Sequence, residues 1–183
     1  MTFRWKRGLP AILASLMLAA CGGGDSSSTP GEPGTGGNTP PGSVKQALEK
    51  LEREGGSPAL DRSATVRGTD GNADGVRDDI ERLIASKTGT AEQKSSLRVF
   101  SRAVSAAMLV NVNDANALRA AANNVSNGVN CIWQHYPEDQ ADAMVREIEK
   151  FTVNTRERYT AYMAFNAAMH GAVSGAAQEA NCA

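Results

Sequence analysis

The chain has 183 residues, 19 basic against 20 acidic, with 41% hydrophobic and 5% aromatic residues. That length holds one domain with a real core, and a net charge of -1 lacks the basic footprint of a nucleic-acid binder. Three cysteines are too few for a disulfide scaffold that replaces the core, and their odd number asks for a separate role for one of them.

Arg4, Lys6 and Arg7 precede an apolar run from Leu9 to Ala20. A helix of that length covers about 18 Å, short of the roughly 30 Å of hydrocarbon a spanning helix must cross. Residues 1–20 therefore read as a signal peptide, not a membrane anchor. The run ends Leu18-Ala19-Ala20-Cys21. Basic start, apolar run, small residues and cysteine in that order resemble the lipobox of bacterial lipoproteins. The alternative is an ordinary cleaved signal peptide in which Cys21 is incidental.

The resemblance implies lipidation of the Cys21 thiol with a group that carries palmitate-like chains, cleavage just before Cys21, and attachment of the mature chain to the bacterial cell envelope. Several acyl chains give stable anchoring where one gives only marginal binding. Gly22 stands where enteric lipoproteins carry the aspartate that retains them at the inner membrane, which implies the outer membrane and leaves its face open. Removal of the three basic leader residues leaves 16 basic against 20 acidic, a net charge of -4. Charge would not hold such a chain on anionic lipid, so the anchor has to.

Residues 22–43, GGGDSSSTPGEPGTGGNTPPGS, contain almost nothing apolar and cannot repay the entropy of ordering. They read as a Gly/Ser/Pro-rich linker with a typical reach of about 25 Å. A helical domain is expected over 44–183. Val44, Leu48 and Leu51 mark a short helix ended by Gly55-Gly56, and 57–75 carry turn residues without periodicity.

Val76, Ile80, Leu83 and Ile84 then fall on one helical face up to Thr88-Gly89. Thr90 and Gln93 form a capping box ahead of the stripe Leu97, Phe100, Val104 and Met108. Asp114 caps a helix bearing Leu118, Ala121, Val125, Val129 and Ile132, with a possible break at Gly128. Pro137 starts another with Met144, Ile148 and Phe151. A last helix, or the same one continued, runs through Tyr159, Tyr162, Met163, Phe165 and Met169. Nothing alternates as a strand does, so the expected fold is all-α, a small bundle of four to five helices.

With Cys21 assigned to lipid, Cys131 and Cys182 form an even pair in an oxidising compartment. A disulfide between them would staple the tail, which loosens at Gly171 and Gly175, onto the helix near Trp133. Two buried thiols or a reactive nucleophile are the alternatives.

Residues 70–81 read DGNADGVRDDIE and fit D-x-[DN]-x-[DN]-G-x5-E at every required position. Calcium takes roughly six to eight oxygens. Asp70, Asn72 and Asp74 alternate so that their side chains converge, and Gly75 permits the sharp turn. The Val76 carbonyl adds a backbone oxygen, Asp78 contributes through water, and Glu81 closes the shell with two oxygens. Ordinary residue frequencies give a chance match of roughly one in a few thousand.

The segment is similar to the EF-hand loop and to the calcium repeats of dockerins and thrombospondin type 3 arrays. It departs from the EF-hand pattern at Arg77, where an aliphatic residue normally pairs two loops, and it lacks an entering helix and a second loop. The resemblance implies a lone structural calcium site, not a sensor that opens. The alternative is an Asp/Gly-rich turn in which Asp74 or Asp78 caps the following helix.

His135 and His170 lack a recognisable catalytic partner, and Asn123, Asn127 and Asn130 read as a solvated face. No G-x-S-x-G, H-E-x-x-H, C-x-x-C or P-loop sequence occurs. The expected function is thus a non-catalytic interaction or structural module, its partner an envelope protein or glycan. The alternative is an envelope enzyme or glycan-binding protein with a site near Trp133, His135, Arg156 and Tyr159 in the aromatic C-terminal half.

Overall fold

The computed structural model describes residues 43–170 and 181–182. The expected signal peptide, Cys21, the expected linker through residue 42 and the glycines at 171 and 175 lie outside the described residues. Six helices are present among those described: α1 (Val44–Arg53), α2 (Asp78–Ser86), α3 (Ala91–Leu109), α4 (Ala115–His135), α5 (Glu138–Thr152) and α6 (Arg156–Ala168). The fold is all-α. No helix among the described residues is long and apolar enough to cross a membrane.

Caps set most of the helix boundaries. Ser43, Thr90, Asp114 and Thr155 each accept a backbone N–H from the first turn that follows, and Gln93 completes the box with Thr90. Each such bond satisfies a donor that the helix itself leaves unpaired. α5 and α6 are separate helices. The break at Val153–Thr155 places Thr155 at an N-cap and leaves the carbonyls that end α5 open to other donors.

α1 buries none of its side chains, so the packed bundle comprises the remaining five helices. α3 is the central one and packs on α2, α4, α5 and α6. Its stripe of Leu97, Phe100, Val104 and Met108 is buried against Ile80 and Ile84 of α2, Ile132 of α4, Ile148 of α5 and Phe165 of α6. Burying each such side chain contributes about 1.5–3 kcal/mol.

Gly128 does not break its helix. α4 runs unbroken from Ala115 to His135, and a Cβ at position 128 would lie 2.6 Å from the Phe100 Cα. The glycine is there because two helix backbones meet at that point. The lost helix propensity, about 1 kcal/mol, is offset by the close α3–α4 packing it permits.

Cys131 and Cys182 are joined, with Cα atoms 5.4 Å apart. Beside them the Asn127 amide clamps the tail backbone. Its Nδ2 donates to the Asn181 carbonyl at 2.8 Å, and its Oδ1 accepts the Asn181 N–H at 2.8 Å. Asn127 is therefore not part of a solvated face. Ser95 of α3 adds a third hold through its hydroxyl, which donates to the Cys182 carbonyl at 3.2 Å.

Candidate metal centre

The twelve residues 70–81 form a tight loop that delivers the chain into α2. Gly75 has φ +86 and Ala73 φ 59, both in the left-handed region. Gly75 adopts it freely, whereas Ala73 does so at a cost of about 1–2 kcal/mol. The side chains organise the loop around its own backbone. Asp70 Oδ2 accepts the Gly75 N–H at 2.9 Å, Asn72 Oδ1 that of Asp74 at 3.1 Å, and Asp74 Oδ1 that of Val76 at 2.8 Å. Asp78 Oδ1 reaches back to the Gly71 N–H at 2.8 Å. Asn72 Nδ2 donates to Glu81 Oε1 at 3.2 Å, which connects the first half of the loop to its last residue.

One oxygen stands out. Asp70 Oδ1 is buried and has no hydrogen-bond partner. A buried acceptor left in that state costs about 1–3 kcal/mol. A cation is the partner that the surrounding oxygens suit. Asp74 and Asp78 each spend one carboxylate oxygen on the backbone and keep the other. The donor set, four carboxylates and an amide with the Val76 carbonyl, is the hard-oxygen set that calcium takes.

Among the described residues, no three His, Cys, Asp or Glu side chains are gathered closely enough to hold a metal by themselves. Four neighbouring carboxylates repel one another, so electrostatics opposes such a gathering unless a cation balances it. The calcium pattern also draws on Asn72 and a backbone carbonyl, which are not acidic side chains. The residues present therefore fit calcium in kind and in order, and the ion would supply the charge balance that brings them together.

The helix after the loop begins at Asp78, two residues later than the apolar spacing implies. Its N-cap is Arg77, which makes no side-chain cap bond, and neither Asp74 nor Asp78 caps the helix. Val76 is fully buried in the loop, and Arg77 is 3% exposed. Arg77 is the residue that departs from the EF-hand pattern, and its surroundings explain the departure. Its Nε and one terminal nitrogen form a two-point pair with Asp79, both at 2.7 Å. The guanidinium also donates to the carbonyls of Thr152 at 2.9 Å and Phe151 at 3.1 Å. These are open carbonyls at the C-terminal end of α5, where a cation also opposes the helix dipole.

A second buried arginine completes this polar hub. Arg158 of α6 is 0% exposed. It donates to the Asp61 carbonyl at 2.6 Å, to Asn154 Oδ1 at 2.8 Å and to the Val66 carbonyl at 3.2 Å. Asp61 in turn gives its N–H to Asp79 Oδ2 at 2.7 Å and accepts the N–H groups of Ser63 and Thr69. Gly68 lies against both guanidinium side chains, and a Cβ there would collide with Arg77 Cδ. The segment 57–75, which has no apolar period, is held by these polar anchors together with Leu60 and Val66, which pack against the core.

Burial pushes the Asp61 carboxyl up, but hydrogen bonds from Ser63 and Thr69 and the Arg158 charge outweigh it and hold the group well below its ordinary value of 3.8. A carboxyl depressed in the folded state contributes stability above its unfolded pKa and loses it as pH falls toward the folded one. Acid is therefore expected to weaken the domain progressively below pH 3.8. Urea unfolding of Asp61→Asn should show a flatter loss over that window than the parent. Equal slopes would mean that other carboxylates carry the acid response.

The hub leaves one signal in the sequence. Arg158 stands at i, with Tyr162 and Phe165 at i+4 and i+7, so a charge heads an apolar stripe. The aromatic residues of the C-terminal half are divided. Tyr136, Tyr162 and Phe165 are in the core, whereas Trp133 is 44% and Tyr159 57% exposed. His135 is half-buried at the end of α4, with its carbonyl accepting from Gln93 Nε2 at 2.9 Å, and both Arg156 and His170 are exposed. Comparison with protein-family models, curated proteins and solved structures finds no match to this chain.

Proposed function

We propose that this chain is a lipid-anchored protein of the bacterial cell envelope, attached through Cys21, in which one calcium ion bound by residues 70–81 fixes the entry to the helical bundle. It acts by contact with another envelope protein or glycan and not by catalysis. The observation that carries the calcium reading is Asp70 Oδ1, a buried oxygen without a partner inside a loop of matching donors. The role is structural because the loop leads directly into the core. Val76, Arg77, Asp79 and Ile80 are all buried, so whatever fixes Asp70, Asn72, Asp74, Asp78 and Glu81 also fixes the docking of α2 and the end of α5. The address rests on the lipobox order around Cys21.

Calcium at about 10 mM, acting on a site with a dissociation constant of about 0.1–1 mM, should stabilise the folded state by about 1.4–2.7 kcal/mol. For a domain of this size the melting temperature rises by roughly 5–9 °C. Glu81→Ala should abolish that rise with little change in the calcium-free protein, because Glu81 holds only the Asn72 amide. Asp74→Ala is a poorer choice, since it also removes the acceptor of the Val76 N–H. An unchanged melting curve at millimolar calcium rules out the site.

A further inference from the structure

Between the loop and α3 lies a cleft of about 300 Å³ whose walls include Arg67, Asp70, Arg102, Ser105, Ala106 and Leu109. We propose that this cleft binds a small organic anion through its terminal oxyanion, a carboxylate or a phosphate monoester, and that it does so when the loop holds calcium. The inference rests on the calcium reading above.

Two arginines supply the recognition. Arg67 is exposed and makes no hydrogen bond or ion pair with the described residues. Arg102 spends its Nε on the Asp74 carbonyl at 2.6 Å, and its terminal nitrogens remain for a ligand. Guanidinium groups match carboxylate and phosphate oxygens by two-point hydrogen bonding. Ser105 adds a hydroxyl, while Ala106 and the exposed Leu109 offer an apolar wall to the body of the ligand. The volume lies at the lower end of the range for small-molecule sites, about 300–1,000 Å³.

Charge supplies the dependence on calcium. Asp70 lines the cleft, and Asp74, Asp78 and Glu81 follow it in the same loop. Arg77, the third arginine of the wall, is neutralised by Asp79. Against Arg67 and Arg102 the four loop carboxylates leave an excess of two negative charges that repels an anion. A divalent cation in the loop brings the sum to zero. Asp70 belongs to both the loop and the cleft, and Arg102 holds the loop backbone, so the two ligands act on one element. Linkage then requires the anion to tighten calcium by the same factor as calcium tightens the anion.

The test is an NMR titration of the full chain in detergent with butyrate and, separately, glycerol 3-phosphate. With calcium bound, at least one probe is expected to shift the Nε–H signals of Arg67 and Arg102 and the Ser105 amide, and the probe that does so identifies the oxyanion. Chelation of calcium and the variant Arg67→Gln should each weaken that probe at least tenfold, the loss expected when one charged hydrogen bond worth about 1.5–3 kcal/mol is removed. Arg67→Gln should leave calcium affinity undiminished, since it removes a positive charge near the ion and no internal bond. Calcium binding without anion shifts, or shifts unaltered in Arg67→Gln, overturns this inference alone. Failure of calcium to bind overturns both it and the calcium reading.

Discussion

Asp79→Ala is expected to destabilise the domain by about 3–5 kcal/mol, the usual cost of removing one partner of a buried ion pair. Asp79 is 3% exposed and uses both carboxylate oxygens fully. Oδ1 accepts from Arg77 Nε and the Ile80 N–H, and Oδ2 from a terminal Arg77 nitrogen and the Asp61 N–H. The substitution leaves the Arg77 guanidinium buried without its counter-charge and strips the Asp61 N–H of its acceptor, while the Ile80 N–H keeps the Arg77 carbonyl. At roughly 3.4 °C per kcal/mol for about 140 residues, the melting temperature should fall by about 10–17 °C.

Asp79→Asn should fall between the two, because it keeps an acceptor and loses the charge. A loss below about 1 kcal/mol for Asp79→Ala would show that Arg77 escapes to water, and that the end of α5 does not depend on it. Replacing Arg77 as well would not restore the parent stability. The carbonyls of Phe151 and Thr152 would then lose their donors.

Breaking the Cys131–Cys182 bond is the second large effect. The two residues are 51 apart in sequence, and closing a loop of that length stabilises a fold by about 4 kcal/mol in the chain-entropy model. Reduction, or the double variant Cys131→Ala/Cys182→Ala, is expected to lower the melting temperature by roughly 14 °C. The native bonds around the crosslink allow a finer test. Asn127→Ala removes both hydrogen bonds to the Asn181 backbone while leaving the disulfide intact. It should cost about 1–2 kcal/mol in the oxidised protein. In the reduced protein it should cost less, because the tail then leaves α4 in any case. An equal cost in both states would show that the amide pair holds the tail without the crosslink.

The two effects differ in origin. The disulfide acts mainly by restricting the unfolded chain, so in the chain-entropy model its value follows from sequence separation. The Arg77–Asp79 pair acts in the folded state, and its value depends on how completely water is excluded. That second quantity cannot be read from spacing. Arg77 and Asp79 are two residues apart in a loop rich in charge, and neighbouring positions alone describe them as solvated.

What the sequence by itself determined is local. Helical spacing placed the stripe from Leu97 to Met108, and cap residues placed Thr90 and Asp114. Such features involve neighbours a turn or a loop apart, and the relevant physics is present in the chain before it folds. Tertiary structure decided whatever depends on residues far apart meeting. Gly128 reads as a helix weakness until Phe100 is brought against it. Asn127 reads as solvated until residue 181 returns to it. Arg158 carries no mark of its role beyond a place at the head of an apolar stripe until Asp61, Val66 and Asn154 surround it. For Arg158 burial removes water as the competing partner, so the side chain depends on bonds that the fold must supply.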